Sequence, residues 1–178
     1  MRFLICYATT DGQTRKVAEY IADLIRTKGH QAEVCDANMA ADVDPSQFQA
    51  AILAGSVHMG RYQTALVHQI RRWHEGLSAI PTAFISVSLS AGSNDPHVRA
   101  EIDECAQHML QETGLKPAAT FHVAGAIRFS QYDFFRRWLM RLAAKQMNKS
   151  IDPSYDQEYT DWNAVAKFAD RFLAMTGA

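Results

Sequence analysis

Cysteine is scarce in this sequence, and its positive and negative charges nearly cancel. The three cysteines, Cys6, Cys35 and Cys105, lie far apart, and none belongs to a CxxC motif. This usage is typical of a reducing compartment rather than of a disulfide framework. The net charge of −1 at pH 7 gives no global attraction to nucleic acid, so any electrostatic preference must come from a local cluster. We therefore expect core thiols and no nucleic-acid partner.

Long hydrophobic runs are also missing. The apolar runs stop well short of the roughly 18 residues of a transmembrane helix, and the first residues lack the pattern of a signal peptide. We expect a cytoplasmic protein, unless a segment attaches it to a membrane surface. With 178 residues, 48% of them hydrophobic, the chain can form one full-sized core but hardly two. The predicted organisation is one domain over residues 1–178.

Two periodicities alternate along the chain. Short apolar runs predict five strands, at residues 2–8, 31–37, 50–57, 82–88 and 119–127. Helical spacing predicts four helices, at residues 13–28, 62–75, 97–113 and 161–175. This alternation is typical of an α/β fold, in which helices cover both faces of a parallel sheet. Residues 38–49 lack a helical period, so a loop or a single turn is expected there.

The loop "TTDGQT", residues 9–14, joins the first predicted strand to the first predicted helix. A helix N-terminus presents free backbone N–H groups and the positive end of its dipole, which suits an anion. Threonine hydroxyls add donors, and Gly12 lets the backbone bend close to the anion. The motifs G-x-x-x-x-G-K-[ST] and G-x-G-x-x-G are absent. The loop predicts a monophosphate held by neutral donors; the alternative is that these residues only cap the helix.

This loop resembles the phosphate signature of the flavodoxin family. The matching residues are Ile5, Tyr7, Thr9, Gly12, Thr14, Ala18 and Ile21. Cys6 departs from the signature, because it replaces a bulkier apolar residue. The resemblance implies a doubly wound, five-stranded parallel sheet of order 2-1-3-4-5, with FMN as the cofactor. The FMN phosphate would lie on residues 9–14, and its ring over the carboxyl ends of the third and fourth strands.

Two loops, after the third and fourth predicted strands, are expected to hold the flavin ring. In this family the first often has a glycine peptide that reorients when the flavin N5 gains a proton, a role that suits Met59-Gly60. His58 and Tyr62 are the nearest groups able to stack on or edge the ring, although an ordinary surface role is equally open. The second loop has no aromatic residue, so one face of the flavin is expected to be open to a large planar substrate. The residues expected to bind FMN are Thr9, Thr10, Asp11, Gly12, Gln13, Thr14, Ser56, Val57, His58, Met59, Gly60, Tyr62, Phe84, Ser86, Val87, Ser88, Leu89, Ser90 and Gly92.

A long insert, at about residues 128–158, follows the fifth strand. Its part from 128 to 149 has six basic residues and a single acidic residue, Asp133. Apolar residues recur at the spacing of one helix face from about Tyr132, which predicts a basic amphipathic helix. Such a helix is typical of a membrane-surface element, and its arginines suit carboxylate recognition. The alternative is an ordinary helix packed on the sheet.

Four segments together resemble the bacterial flavodoxin-like, quinone-dependent protoporphyrinogen IX dehydrogenases: "TTDGQT", "GSVHMGRYQTAL", "GAIRFSQYDFFRRWLMRLAAKQM" and "EYTDWNAVAKFA". The resemblance implies FMN-dependent oxidation of protoporphyrinogen IX to protoporphyrin IX in haem biosynthesis. Electrons would pass to menaquinone or ubiquinone, at the cytoplasmic face of the inner membrane.

The substrate of such an enzyme has two propionates and a greasy macrocycle, for which arginines near aromatic residues are suited. The residues expected to bind it are Arg61, Arg128, Tyr132, Arg136 and Arg137. No catalytic acid or base is predicted, and the histidines lack metal-ligand spacing, so no metal is expected. Two other functions stay open: an NAD(P)H:quinone reductase of the flavodoxin-like type, and a flavodoxin electron carrier. The nearly neutral charge argues against a carrier, since carriers are usually acidic.

Overall fold

A five-stranded parallel sheet lies at the centre of the computed structural model, which describes residues 1–127 and 157–178. The strands of these ranges are Arg2–Ala8 (β1), Gln31–Asp36 (β2), Ala50–His58 (β3), Arg61–Tyr62 (β4), Thr82–Ser88 (β5), Ala119–Ala124 (β6), Ala126–Ile127 (β7) and Gln157–Glu158 (β8). The parallel strands follow the order β2-β1-β3-β5-β6. This is the order 2-1-3-4-5 predicted for the five apolar runs, and the predicted fold class is confirmed.

The helices pack on both faces of this sheet. They are Gln13–Thr27 (α1), Thr64–Arg72 (α2), His74–Ser78 (α3), Pro96–Thr113 (α4) and Trp162–Thr176 (α5). One core cluster joins α1 and α5 to one face, and the other cluster joins α2, α3 and α4 to the opposite face. The central strands are therefore buried on both sides. This explains why their sequences are continuous apolar runs and do not alternate between apolar and polar residues.

Two predicted elements differ from the structure. The predicted helix over 62–75 divides at Trp73, and its first residue, Tyr62, instead belongs to β4, which pairs with β3 in an antiparallel hairpin. The predicted fifth strand divides at Gly125, after which β7 leaves the main sheet and pairs with β8. The segment over 38–49 contains only the short 3₁₀ turn Pro45–Gln47, as expected for a loop or single turn.

The predicted amphipathic helix of the insert lies outside the described residues. Within 1–127 and 157–178, no helix is long and apolar enough to cross a membrane.

Candidate functional site

A cavity of about 360 Å³ opens where the carboxyl ends of the parallel strands meet. Its volume falls within the range of about 300–1,000 Å³ that is usual for small-molecule sites. The lining residues are Thr9, Asp11, Gln13, Thr14, Ser56, Val57, His58, Met59, Gly60, Val87, Ser88, Leu89, Ser90, Gly125 and Ala126. The structure thus brings together the three loops that the sequence analysis assigned to the cofactor, from β1, β3 and β5.

The phosphate loop leaves the N-terminus of α1 free of a side-chain cap. Gly12 occupies the N-cap position with φ of 83°, in the left-handed region that favours glycine. It has no side chain to bond the first-turn N–H groups, and its own N–H donates to Thr9 Oγ1 at 2.9 Å. The hydroxyl of Thr9 is therefore used inside the loop. This geometry leaves the first turn of α1 available to an anion and does not support the alternative that the loop only caps the helix.

Two polar side chains of this turn are buried without partners for their oxygens. Thr14 is 0% exposed and Gln13 is 4% exposed. Within the part of the chain that the structure describes, Thr14 Oγ1 and Gln13 Oε1 have no hydrogen-bond partner. Buried polar atoms are nearly always paired, because burying one without a partner costs about 1–3 kcal/mol. A buried hydroxyl donor beside an uncapped helix N-terminus fits a bound phosphate.

Gln63, at the start of α2, ties two of the cavity loops together. Its Nε2 donates to Thr10 Oγ1 at 3.1 Å and to Ser56 Oγ. One amide group therefore links the phosphate loop to the end of β3. Gln63 is not among the site residues predicted from the sequence. No spacing in the sequence pairs it with Thr10, because the two lie 53 residues apart.

A contact between a carboxylate and an imidazole makes a second link between the same loops. Asp11 Oδ2 lies 3.2 Å from His58 Nε2, and both residues line the cavity. His58 thus lines the cavity, and its contact with a flavin stays a prediction. Its partner Asp11 holds it toward the phosphate loop.

The turn between β3 and β4 has an unusual backbone. Met59 and Gly60 have φ values of 50° and 73°, and His58 pairs directly with Arg61. A two-residue hairpin turn with both φ values positive is of type I′, which favours Asn-Gly or Gly-Gly. A methionine in this conformation costs about 1–2 kcal/mol. The Met59 side chain is nevertheless 96% exposed, so core packing does not compensate for the strain.

Tyr62 occupies a place different from the predicted one. Its ring packs edge-on against Phe84 with centroids 5.3 Å apart, and its hydroxyl donates to Ser86 Oγ at 2.7 Å. Burial raises the pKa of Tyr62, so the hydroxyl keeps its proton. All three side chains are buried, and none of them lines the cavity, so Tyr62 is not placed to stack on a ring in it. The predicted residues that do not line the cavity are Thr10, Gly12, Tyr62, Phe84, Ser86 and Gly92.

Gly55 explains how Tyr62 fits beneath the end of β3. A Cβ atom at position 55 would lie 2.6 Å from Leu66 Cδ2 and 2.9 Å from Tyr62 Cδ1. Only glycine allows the hairpin and α2 to approach the strand this closely.

The returning segment, residues 157–161, contacts residues on one side of the cavity. Tyr159 N donates to Gly125 O at 3.0 Å, and Gly125 itself lines the cavity. Thr160 Oγ1 donates to Ala124 O at 2.7 Å and accepts from Gln13 Nε2 at 2.9 Å. The "EYTDW" segment thus connects the end of β6 to the phosphate loop. Gly125 and Ala126 were missed by the sequence analysis because they were assigned to the interior of a strand.

Glu158 attaches the same segment to α1. Its carboxylate lies 3.0 Å from Lys16 Nζ and accepts from Trp162 Nε1 at 2.8 Å. Burial disfavours the charged form of Glu158, but its hydrogen bonds, first of all that from Lys16, outweigh this effect. The pKa of Glu158 is consequently lowered below its ordinary value.

The predicted substrate-binding residues fall in two groups. Arg61 is exposed and belongs to β4, next to the cavity turn. Arg128, Tyr132, Arg136 and Arg137 lie outside the described residues. Among the residues that the structure does describe, no group of His, Cys, Asp or Glu side chains has the arrangement of a metal site.

Comparisons with known proteins agree with this geometry. The family model described as "Flavodoxin domain" matches residues 4–154. A protein of Escherichia coli (strain K12) named protoporphyrinogen IX dehydrogenase (quinone) is 29% identical over 99% of this chain and 97% of its own length. A Leishmania major protein of the same name is 30% identical over 97% of this chain and 74% of its own length. A Fusobacterium nucleatum flavodoxin variant bound to flavin mononucleotide has a TM-score of 0.52 at 11% identity, covering 97% of this chain and 93% of its own. That likeness shows a shared fold.

Proposed function

The chain belongs to the flavodoxin domain family, and from this premise we propose that it binds FMN and oxidises protoporphyrinogen IX to protoporphyrin IX, with a quinone as electron acceptor. Family membership alone leaves a carrier and a reductase open. One observation carries the choice: relatives named as quinone-dependent protoporphyrinogen IX dehydrogenases align with 97–99% of the chain. The alignment therefore includes the insert and the returning segment, which go beyond a short flavodoxin. The protein is an oxidoreductase that acts in haem biosynthesis.

The cavity residues fit FMN. The first turn of α1 offers its N–H groups and the Thr14 hydroxyl to the phosphate, and Gln13 stands beside them. The loops over 56–60 and 87–90 border the rest of the cavity and would hold the ring. When bound, FMN supplies the capacity to accept a hydride. The side chains around it need only orient the substrate, exclude water and keep their own protonation states.

Contacts to the substrate are proposed at the cavity mouth. Protoporphyrinogen IX carries two propionates, and arginine binds carboxylates through two parallel hydrogen bonds. Arg61 is exposed beside the turn that borders the cavity, so it is the proposed propionate contact among the described residues. Arg128, Tyr132, Arg136 and Arg137 are proposed from sequence alone as a further part of the substrate wall.

A membrane-bound quinone, menaquinone or ubiquinone, is the proposed acceptor. Both quinones and porphyrinogens are poorly soluble in water, so an enzyme that takes them benefits from resting on a bilayer. The six basic residues over 128–149 would supply the attraction to anionic lipid. We accordingly propose peripheral attachment to the cytoplasmic face of the inner membrane.

An anaerobic stopped-flow experiment tests the proposed function. Protein reconstituted with FMN is mixed with protoporphyrinogen IX, and flavin absorbance is followed; menaquinone is then added. Loss of the absorbance with protoporphyrinogen IX and its return with quinone are expected. Protoporphyrin IX, which has no hydride to give, serves as the matched control and should leave the flavin oxidised. Rapid bleaching by NAD(P)H and none by protoporphyrinogen IX would instead identify a reductase.

A further inference from the structure

Cys105, on α4, contacts the turn that borders the cavity. Its Sγ donates a hydrogen bond to the carbonyl oxygen of Gly60 at 3.3 Å. The thiol is partly buried, and this burial raises its pKa. It therefore remains protonated at neutral pH and keeps the hydrogen that it donates. Cys105 has no part in the proposed oxidation of protoporphyrinogen IX.

The Gly60 carbonyl lies outside the pairing that builds the hairpin. That pairing joins Val57 to Tyr62 and His58 to Arg61. A Cβ atom at position 60 would meet nothing within 4 Å, so packing against the turn does not fix this peptide. Glycine at positive φ also has more than one accessible backbone conformation. A single hydrogen bond can therefore decide which way the carbonyl points.

Met59, the neighbouring residue, makes the turn conformation depend still more on single hydrogen bonds. Met59 is held at a φ of 50° while its side chain is almost fully exposed. A strained turn with little packing has alternative conformations close in energy, and strain of this kind clusters at ligand sites. Met59 and Gly60 both line the cavity.

We propose that Cys105 is a positioning residue: its thiol holds the Gly60 carbonyl toward α4 and thereby sets how readily that carbonyl can turn to a ligand in the cavity. The proposal rests on the proposed function in one respect, namely that the ligand is a flavin. A reduced flavin carries an N–H at N5 that the oxidised flavin lacks, and a carbonyl bordering the ring is a suitable acceptor for it. The thiol competes with that N–H for the Gly60 oxygen. Cys105 therefore favours the oxidised flavin and lowers its midpoint potential.

Substitution of Cys105 tests this competition. Cys105→Ala removes the donor, so the reduced flavin should gain about two- to fivefold in affinity relative to the oxidised flavin, as expected for one weak S–H···O bond. This change raises the two-electron midpoint potential by roughly 10–20 mV, since tenfold corresponds to about 30 mV. Cys105→Ser keeps a donor and should stay near the wild-type potential. Cys35→Ala, which removes another partly buried thiol on β2, is the matched control and should not change the potential.

A second measurement needs no cofactor. Infrared spectra of the flavin-free protein provide it. The S–H stretching band that disappears in Cys105→Ala should lie at the lower frequency of a hydrogen-bonded thiol. With glycine labelled as ¹³C=O, the Gly60 carbonyl band should shift in the same variant. A Cys105 band at the frequency of a free thiol would overturn the proposal. So would a Cys105→Ala potential equal to that of the wild type. If the protein binds FMN but does not oxidise protoporphyrinogen IX, the proposed function fails while these two measurements still decide the role of Cys105.

Discussion

At the scale of single residues, the cavity contains buried polar atoms that have no hydrogen-bond partner within the described residues. Thr14 sits in the first turn of α1 with its hydroxyl buried and without a partner in the described ranges, while the rest of the helix packs against the sheet. The fold tolerates this arrangement because the turn faces a cavity. A buried polar atom of this kind indicates a ligand, because leaving it unpaired lowers the stability of the folded protein.

Replacing Thr14 by valine should weaken FMN binding by at least about tenfold. Valine keeps the β-branched shape and removes the hydroxyl, and the loss of a hydrogen bond to a charged phosphate costs about 1.5–3 kcal/mol. Titration of FMN fluorescence gives the dissociation constant directly. Thr27→Val is the control on the same helix, because the exposed Thr27 hydroxyl donates to Leu24 O of its own helix. Equal dissociation constants for Thr14→Val and wild type would place the phosphate elsewhere.

Replacing Gln63 by leucine should also weaken FMN binding, although Gln63 does not line the cavity. Its amide is the donor to both Thr10 and Ser56, and each lost hydrogen bond contributes about 0.5–1.5 kcal/mol. Because only part of this energy reaches the ligand, we expect a roughly two- to tenfold higher dissociation constant. The same fluorescence titration measures it.

Gln69→Leu is the control for Gln63. Gln69 lies on α2, is buried, and donates to Ala40 O; neither residue lines the cavity. Its loss should lower the free energy of unfolding and leave FMN affinity near wild type. An FMN affinity unchanged in Gln63→Leu would show that the loops keep their positions without the bridge.

At the scale of elements, the returning segment and α5 hold one side of the site. Trp162 packs edge-on against Tyr20 of α1 with centroids 4.8 Å apart, and Phe168 stacks on Phe121 of β6, also at 4.8 Å. These contacts attach α5 to the first helix and to an edge strand. Glu158 adds the charged contact to Lys16, at the start of the same segment.

The Glu158 contact should make stability depend on pH in the acidic range. The pKa of Glu158 is lowered in the folded protein, so its contribution is present above the ordinary carboxylate pKa of about 4.3. The contribution is lost as the pH falls through the lowered pKa. Because Glu158 is one-third exposed and Lys16 half exposed, we expect less than about 1 kcal/mol.

Urea unfolding of wild type and Glu158→Gln at about pH 7 and pH 3 measures this effect. The wild type should be the more stable at pH 7, and the difference should shrink at pH 3. Lys16→Met should reduce the pH dependence in the same way, since it removes the principal partner. A difference of the same size at both pH values would mean that the carboxylate charge contributes nothing.

At the scale of the whole molecule, the charges are unevenly distributed along the chain. Residues 128–149 have six basic residues and one acidic residue, which leaves twelve basic and eighteen acidic residues elsewhere. The net charge is nearly neutral because a basic segment balances an otherwise acidic protein. A flavodoxin fold alone does not require this division, whereas a peripheral membrane contact would use it.

Replacing Arg136, Arg137 and Arg141 together by glutamine should reduce sedimentation with anionic liposomes. Each basic residue near the surface contributes about 1 kcal/mol, so the loss of three should release most of the protein at moderate salt. Turnover with membrane quinone should also slow, while FMN stays bound. High salt should release the wild type in the same assay.

A second triple variant distinguishes the effect of where the arginines lie from the effect of the net charge. Changing Arg26, Arg71 and Lys167 to glutamine gives the same net charge with the basic segment intact. This variant should sediment like wild type. If both triple variants sediment equally, the arginines of the segment have no special role, and ordinary packing of a helix on the sheet becomes the better interpretation.

Local sequence determined the elements and much of the site. For the ranges that the structure describes, apolar runs located the five parallel strands and helical spacing located the four long helices, while the loop over 9–14 indicated an anion at the N-terminus of α1. These features depend on residues within a few positions of one another. The resemblance to flavodoxins then implied the strand order, which periodicity does not contain.

The tertiary structure alone decided how distant segments meet. It placed Tyr62 in the core, since Gly55 leaves room for its ring there. It brought Gln63 to Thr10, Thr160 to Gln13 and Cys105 to Gly60. Each of these contacts joins residues more than 40 positions apart, and each depends on which strands are neighbours and on how far each helix lies along the sheet. Hydrophobic patterning specifies which face of an element is buried, but the partner of a single polar atom is fixed only once the elements have packed.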